Sequence, residues 1–120
     1  MMSGHRSTFD SMLDLCRNRY RRIVLGIFAT ERRSVTLDDL TRAVLKYNHH
    51  TTVSEATDDV VAEIRTALHH THLPKLSSEG LISHGPDRKH IEATEQLEEV
   101  RPIVFTIIDA DPDLEAPIRP

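Results

Sequence analysis

Histidine is the residue type in this sequence with the clearest capacity for chemistry. Five of the eight histidines occur in two groups, which are His49 with His50 and His69 with His70 and His72. Two histidines three residues apart on a helix can direct both imidazoles to one side and bind a metal ion. No cysteine lies near either group, and a histidine near a helix end is commonly a packing or capping residue. We therefore expect no cofactor, and a metal-responsive sensor is the alternative.

No nucleophile of this chain lies in a recognisable catalytic motif. The single cysteine, Cys16, falls on an apolar stripe and is expected to be a small buried hydrophobic residue. The neighbouring Arg17 and Arg19 leave a redox-active thiol open as the alternative. The four glycines form no phosphate-binding loop. The sequence therefore predicts a protein that is not an enzyme, and one cysteine excludes an intrachain disulfide.

A predicted helix that begins near residue 57 offers a different chemistry, which is hydrogen bonding to the edges of DNA bases. Ala62 allows close approach to a duplex, whereas Glu63 would be repelled by phosphate. A solvated helix face is the alternative interpretation. The outward positions that carry donors and acceptors suited to a major groove are Arg65, Thr66, His69 and His70.

A predicted hairpin turn beside Gly85 carries a compact cationic cluster, consisting of Arg88, Lys89 and His90. Such a cluster suits contacts with DNA phosphates, although exposed cations on a turn also serve solubility alone. A second basic group, near the N terminus, is open between two roles: flanking a DNA backbone, or pairing with the acidic C-terminal third of a partner chain. Its members are Arg17, Arg19, Arg21 and Arg22.

The charge of the chain is distributed unevenly along the sequence. The net charge is −4, yet residues 1–33 contain seven arginines against three acidic residues, and residues 91–120 contain two basic against eight acidic residues. Binding to DNA requires a local positive potential, so an acidic total does not exclude it. Aromatic residues make up only 4% of the chain, which leaves no stacking platform for single-stranded bases. A nucleic-acid partner is therefore expected to be double-stranded DNA.

The length of 120 residues suits one hydrophobic core. No apolar run approaches the roughly 20 residues that cross a bilayer, and the first residues do not resemble a signal peptide. We expect a soluble, cytoplasmic protein without a membrane partner. The twelve arginines against three lysines are typical of a high-salt or high-GC source.

The order of predicted elements indicates a mainly α fold with a small β-hairpin, a winged helix-turn-helix with an additional C-terminal helix. A kinked end is expected at Pro74, and Gly80 is a natural left-handed stop. The predicted elements are one long or two short helices over 9–28 with a break at 17–19, a short strand at 34–36, a helix over 37–47, a polar linker over 48–56, a third helix from 57, strands at 81–83 and 90–92, and a helix over 95–108.

The last predicted helix carries an apolar stripe formed by Leu97, Val100, Val104 and Ile107. A helix with a continuous apolar edge needs a surface to cover it, and symmetric pairing with a second copy is the commonest solution, so a homodimer is expected. Pro102 is tolerated if it opens a second helical segment. The alternative is that the β-branched residues 103–108 form a strand or fold back on their own core.

These patterns divide the chain into four segments. They are a flexible N terminus at 1–8, a winged-helix DNA-binding domain at 9–93, a dimerisation helix at 94–108 and an acidic disordered tail at 109–120.

Two stretches of sequence add a resemblance to a known family. Residues 70–76, HTHLPKL, followed by SSEGLI at 77–82, resemble the signature of a winged-helix family abundant in haloarchaea and their viruses, and residues 13–25 resemble its opening pattern. The resemblance spans about residues 9–93 and implies a DNA-binding winged helix without a known target. We therefore predict a sequence-specific transcriptional regulator that binds double-stranded DNA as a homodimer. The alternative is a winged-helix protein-protein interaction module that does not bind DNA.

Overall fold

The computed structural model describes residues 8–31, 33–87, 89–114 and 118–119. The described chain is mainly helical and carries a three-stranded antiparallel sheet, an architecture that is compatible with a winged helix. None of the helices in these ranges combines the length and apolar character needed to cross a membrane. The elements are α1 (Thr8–Cys16), α2 (Arg19–Thr30), β1 (Val35–Thr36), α3 (Leu37–Asn48), α4 (Asp58–Ala67), a π-helical turn (Leu68–His72), α5 (Leu73–Ser78), β2 (Ile82–His84), β3 (His90–Ala93) and α6 (Glu95–Asp109).

Side-chain caps set the starts of four helices. Asn18 separates α1 from α2, because its Oδ1 accepts hydrogen bonds from the backbone N–H groups of Tyr20 and Arg21. Of the two N-terminal alternatives, two short helices is therefore the correct one. Thr36 begins α3 in a reciprocal capping box with Asp39. Thr57 caps α4 and Thr94 caps α6, because each side chain accepts a hydrogen bond from a backbone N–H of the first turn.

The third predicted helix continues through a π-helical turn into α5. The backbone N–H of Leu73 donates to the carbonyl of Leu68, five residues back, and Pro74 follows in the first turn of α5. Because proline lacks an N–H and clashes with the carbonyl four residues before it, a widened turn just upstream removes the conflict. The expected irregularity at Pro74 takes this form. Gly80 then ends the helical run with a φ of 78°, which confirms the left-handed stop.

The sheet has the strand order β1-β3-β2, and both pairings are antiparallel. Val35 pairs with Ile91, and Ile82 pairs with Ala93. The side chains of Val35, Ile82 and Ile91 are buried on the core side. The β2–β3 hairpin is therefore fixed to the helices at its base, and its turn projects from them.

The apolar stripe of α6 lies in the core of its own chain. Leu97, Val100 and Val104 are at most 5% exposed, and Ile107 packs partly buried against the same core. The helix packs against α1, α2 and β3, which cover the face that the sequence predicts as a dimer contact. The assignment of Leu97, Val100 and Val104 to a dimer interface is therefore wrong, whereas Ile107 keeps part of its side chain at the surface. The alternative that this segment folds back on its own core is correct, although the segment is a helix with Pro102 in its interior.

The segment after α6 differs from the predicted disordered tail. Leu114 is 4% exposed and Ile118 is fully buried. Ile118 packs where Gly26 leaves α2 without a side chain, since a Cβ at residue 26 would lie 2.8 Å from Cγ1 of Ile118. Leu114 and Ile118 thus both belong to the hydrophobic core of the chain. Residues 115–117 and 120 of the predicted tail, and 1–7 of the predicted flexible N terminus, lie outside the described residues.

Candidate nucleic-acid interface

A cleft of about 940 Å³ lies between the helical run of α4 and α5 and the β2–β3 hairpin. The start of α3 contributes its third wall. The lining contains cationic side chains, imidazoles, a hydroxyl and one carboxylate, which are groups that bind phosphates and base edges. Its polar members are Thr36, Asp38, Arg65, His69, His84 and Lys89.

Helix α4 fixes the first wall of the cleft through its apolar side. Ile64 and Leu68 are buried in the core, so the opposite side of the helical run faces solvent. The predicted base-reading residues Thr66, His69 and His70 are all exposed there. His69 lines the cleft, whereas Thr66 and His70 do not. The imidazoles of His69 and His70 are in contact, with ring centroids 4.9 Å apart in an edge-to-face arrangement.

Arg65, the fourth predicted residue of this helix, forms an ion pair with Asp38 in the first turn of α3. The two side chains are 42% and 66% exposed, so the pair lies in water rather than in the core. Exposed ion pairs contribute about 0–1 kcal/mol, because solvent screens both charges. Arg65 can therefore exchange Asp38 for another anion at little cost. Sequence reasoning missed Asp38 as a partner, since the two residues are 27 positions apart.

The hairpin turn is organised by Asp87. Its Oδ1 accepts hydrogen bonds from the backbone N–H groups of Lys89 at 2.9 Å and His90 at 3.2 Å. Its Oδ2 lies 2.7 Å from Nδ1 of His90. These interactions, with the Lys89 backbone bond the largest, lower the pKa of Asp87 to about 2. The carboxylate therefore stays ionised at neutral pH and holds the turn.

The cationic cluster predicted for the turn is consequently divided. Lys89 is exposed and lines the cleft. The imidazole of His90 is engaged by Asp87, so the structure does not offer it to a phosphate as the sequence predicts. Arg88 lies outside the described residues. His84, which the sequence analysis did not single out, lines the cleft from the end of β2.

Three of the four N-terminal arginines make side-chain contacts within the chain, whereas Arg17 is exposed. Nε of Arg22 donates to Asp111 at 3.1 Å, and Nη1 of Arg19 donates to Asp113 at 3.4 Å. Arg21 is 8% exposed and donates to a backbone carbonyl at 2.8 Å. The pairing with acidic C-terminal residues is thus present, but in the same chain rather than across a dimer. These three side chains are therefore engaged by groups of their own chain.

The histidines that suggested a metal ion do not converge. His72 is 7% exposed and turned toward Arg21, with Nδ1 of the imidazole 3.3 Å from the guanidinium. His69 and His70 face solvent on the other side of the helical run. In the ranges that the structure describes, no group of three or more histidine, cysteine, aspartate or glutamate side chains is arranged to hold a metal.

Cys16 is buried at 4% exposure on the inner face of α1. Burial raises the pKa of its thiol to about 11, although the charges of Arg22 and Arg21 oppose the shift. The thiol is therefore protonated at neutral pH. This geometry favours the small buried hydrophobic residue over the redox-active thiol.

Comparison with known protein families places most of the chain in a family. No curated protein and no solved structure is similar to the chain. One family model matches residues 13–92, which is more than half of the chain and extends from α1 to β3. The matched range contains the cleft, the helical run and the hairpin, and it leaves out α6 and the segment that follows. The chain belongs to the family described as Domain of unknown function (DUF7344).

Proposed function

We propose that this protein is a winged helix-turn-helix transcriptional regulator that binds double-stranded DNA through α4 and the β2–β3 hairpin. The observation that carries the proposal is the shared cleft. Arg65 and His69 reach it from the helical run, and Lys89 reaches it from the hairpin. A helix and a hairpin that present donors to one cleft match the way in which a winged helix holds a duplex.

Under this proposal the helical run and the hairpin have different tasks. Thr66, His69 and His70 on the exposed side of the helical run contact base edges in a major groove. Lys89 contacts phosphate on the adjacent backbone, which adds affinity without sequence preference. The hairpin turn is held in shape by Asp87, so the backbone at Lys89 is already ordered before binding.

Acidic residues near the cleft set a condition on this mode of binding. Asp38 must release Arg65 to a phosphate, and Glu63 on the exposed side of α4 must face away from the backbone or toward a cytosine amino group. Contacts of Arg65 and Lys89 with phosphate displace counterions, so binding depends on salt. We therefore expect measurable binding at low salt and a loss of affinity as salt rises.

A protein-protein interaction module is the second candidate. The observation that favours it is the acidic start of α4, where Asp58 and Asp59 occupy the first turn and Glu63 follows on the exposed side. An acidic helix repels phosphate and suits a basic partner surface. The two candidates differ in whether DNA binds at all.

The experiment measures fluorescence anisotropy of labelled duplexes over a range of salt concentrations. Sequences enriched by the protein from a random duplex pool serve as the specific probe. Lys89→Ala is expected to weaken binding to all sequences alike and to reduce the salt slope by about one unit. Lys46→Ala, at the end of α3 and not part of the cleft lining, is the matched control and should leave the slope unchanged.

Three results would decide between the candidates. Binding with the expected loss in Lys89→Ala supports the proposal. Binding with the same slope in both lysine variants removes the hairpin from the interface. No binding to any duplex at low salt overturns DNA recognition and favours the interaction module.

A further inference from the structure

The outer face of α1 exposes apolar side chains that the fold does not cover. Phe9 is 54% exposed and Leu13 is 45% exposed, while Met12 and Leu15 on the inner face are buried. In the ranges that the structure describes, the only other large hydrophobic residue exposed to this degree is Val53. Phe9 and Leu13 are one helical turn apart, so they form one continuous patch.

A groove of about 410 Å³ continues this patch at the C-terminal end of α1. It lies between α1 and the end of α6 and opens to solvent beside Leu13. Most of its lining is apolar, Arg17 supplies a positive charge, and the Arg22–Asp111 ion pair forms the rest of the lining. The lining residues used in this inference are Leu13, Cys16, Arg17, Ile107, Ala110 and Pro112.

We propose that a second copy of this chain covers the patch, with the two α1 helices antiparallel about a two-fold axis at Leu13. Phe9 and Arg17 each lie four residues from Leu13, or about 6 Å along the helix axis. The two-fold axis therefore places Phe9 of one copy opposite Arg17 of the other. Because Arg17 lines the groove, this arrangement directs each Phe9 ring to the groove of the opposite copy.

The charges of α1 agree with the same register. Asp10 is exposed in the first turn and Arg17 is exposed just after the last residue of the helix. An antiparallel pair brings Asp10 of each copy within one residue of the level of Arg17 of the other, at both ends of the contact. A parallel pair would instead set like charges side by side. The guanidinium of Arg17 can also lie against the opposite Phe9 ring in a cation–π contact.

This surface replaces the stripe of α6 as the site of self-association. It uses residues that are exposed, whereas Leu97, Val100 and Val104 are buried in the same chain. In an isologous contact the Phe9 ring of each copy meets the groove of the other copy, so the same contact forms twice. The buried area is therefore twice that of one such contact, which is nearer to the area of a specific interface. The inference goes beyond DNA binding and does not depend on it.

The first test compares the mass of the intact chain by light scattering and sedimentation velocity over a concentration series. The wild type is expected to form a dimer that dissociates on dilution. Leu13→Glu places two carboxylates opposite each other at the two-fold axis and should weaken the dimer at least about tenfold. Val53→Glu introduces the same change at the other exposed apolar residue and should leave the dimer intact. Circular dichroism checks that both variants remain folded.

The second test exchanges the charges. Arg17→Asp sets an acidic residue opposite Asp10 and is expected to weaken the dimer, whereas Asp10→Arg combined with Arg17→Asp should restore it. Recovery in the double variant requires the antiparallel register. A general loss of α1 stability would not produce such a recovery. A monomeric wild type at every concentration, equal effects of Leu13→Glu and Val53→Glu, or no recovery in the double variant would each overturn the proposal.

Discussion

Nη1 of Arg21 lies 3.3 Å from Nδ1 of His72, and both side chains are buried. Arginine only donates hydrogen bonds, so Nδ1 of His72 must be the acceptor and the imidazole must be neutral. Tyr20, also from α2, packs edge-on against the same ring at 5.5 Å. Burial, and then the charge of Arg21, lower the pKa of His72 below its usual value of about 6.5.

This contact predicts a loss of stability in mild acid. A histidine whose pKa is lowered by folding binds its proton more readily in the unfolded chain. The contribution of neutral His72 to the free energy of unfolding is therefore complete above about pH 6.5. It is lost as the pH falls through the lowered pKa that His72 has in the folded protein. Urea unfolding at pH 7.5 and 5.5 should show a smaller difference in His72→Gln than in the wild type. His69→Gln, at an exposed position, is the control, and an equal difference in all three proteins would contradict the assignment.

A second prediction concerns the close packing at Gly26. A Cβ there would lie 2.7 Å from Cδ1 of Ile108 and 2.8 Å from Cγ1 of Ile118. Overpacking of about 1–3 kcal/mol then outweighs the gain of about 1 kcal/mol from a better helix former, so Gly26→Ala should lower the free energy of unfolding by up to about 2 kcal/mol. Gly85→Ala, whose nearest contact is 3.5 Å, should change it little. Addition of Ile118→Ala to Gly26→Ala should cost less than the sum of the single effects.

The end of α3 supports a third prediction. His50 has a φ of 53°, in the left-handed region that follows a helix and that favours glycine. His50→Gly is expected to raise the free energy of unfolding by about 0.5–1 kcal/mol. His49→Gly, at a φ of −108°, should lower it by at least a similar amount, because glycine adds freedom to the unfolded chain and removes the ring that lies 6.3 Å from Tyr20. Thermal unfolding of the pair gives the signs, and shifts in the same direction would contradict the argument.

The fourth prediction tests the base-reading role of the helical run. Replacement of Thr66 and His69 by alanine should weaken binding to the enriched duplex by roughly 1–3 kcal/mol for each lost base contact. Binding to random duplexes and the melting temperature should change little, because both side chains are exposed. Ser54→Ala in the linker before α4 is the control. An unchanged ratio of specific to random affinity would remove these residues from the base contacts.

Local signals in the sequence predicted most elements of the fold. The helix predicted from residue 57 begins at the cap Thr57, and Gly80 ends the helical run in the predicted left-handed conformation. These features depend on neighbours within four residues, so they can be interpreted without tertiary structure.

The sequence is less informative about which part of the chain covers an apolar face or pairs with a charged side chain. The periodicity of α6 indicated an apolar face but carried no information about which surface covers it, and the cover is α1 and α2 of the same chain. The same limit applies to the cleft. Lys89, His69 and Arg65 were identified from their types, whereas the pairing of Arg65 with Asp38 and of His90 with Asp87 required the folded geometry.

The ion pair between Arg22 and Asp111 joins residues that are 89 positions apart in the sequence. Closing so long a loop is entropically costly, and contacts of this range form late in folding. Ribosomal synthesis accentuates the delay, since α2 is complete well before residues 111–119 are made. We therefore expect the nascent protein to pass through a stage in which the apolar surface around Gly26 is open to water. At that stage it is a candidate for chaperone binding or for exchange of this segment between neighbouring chains.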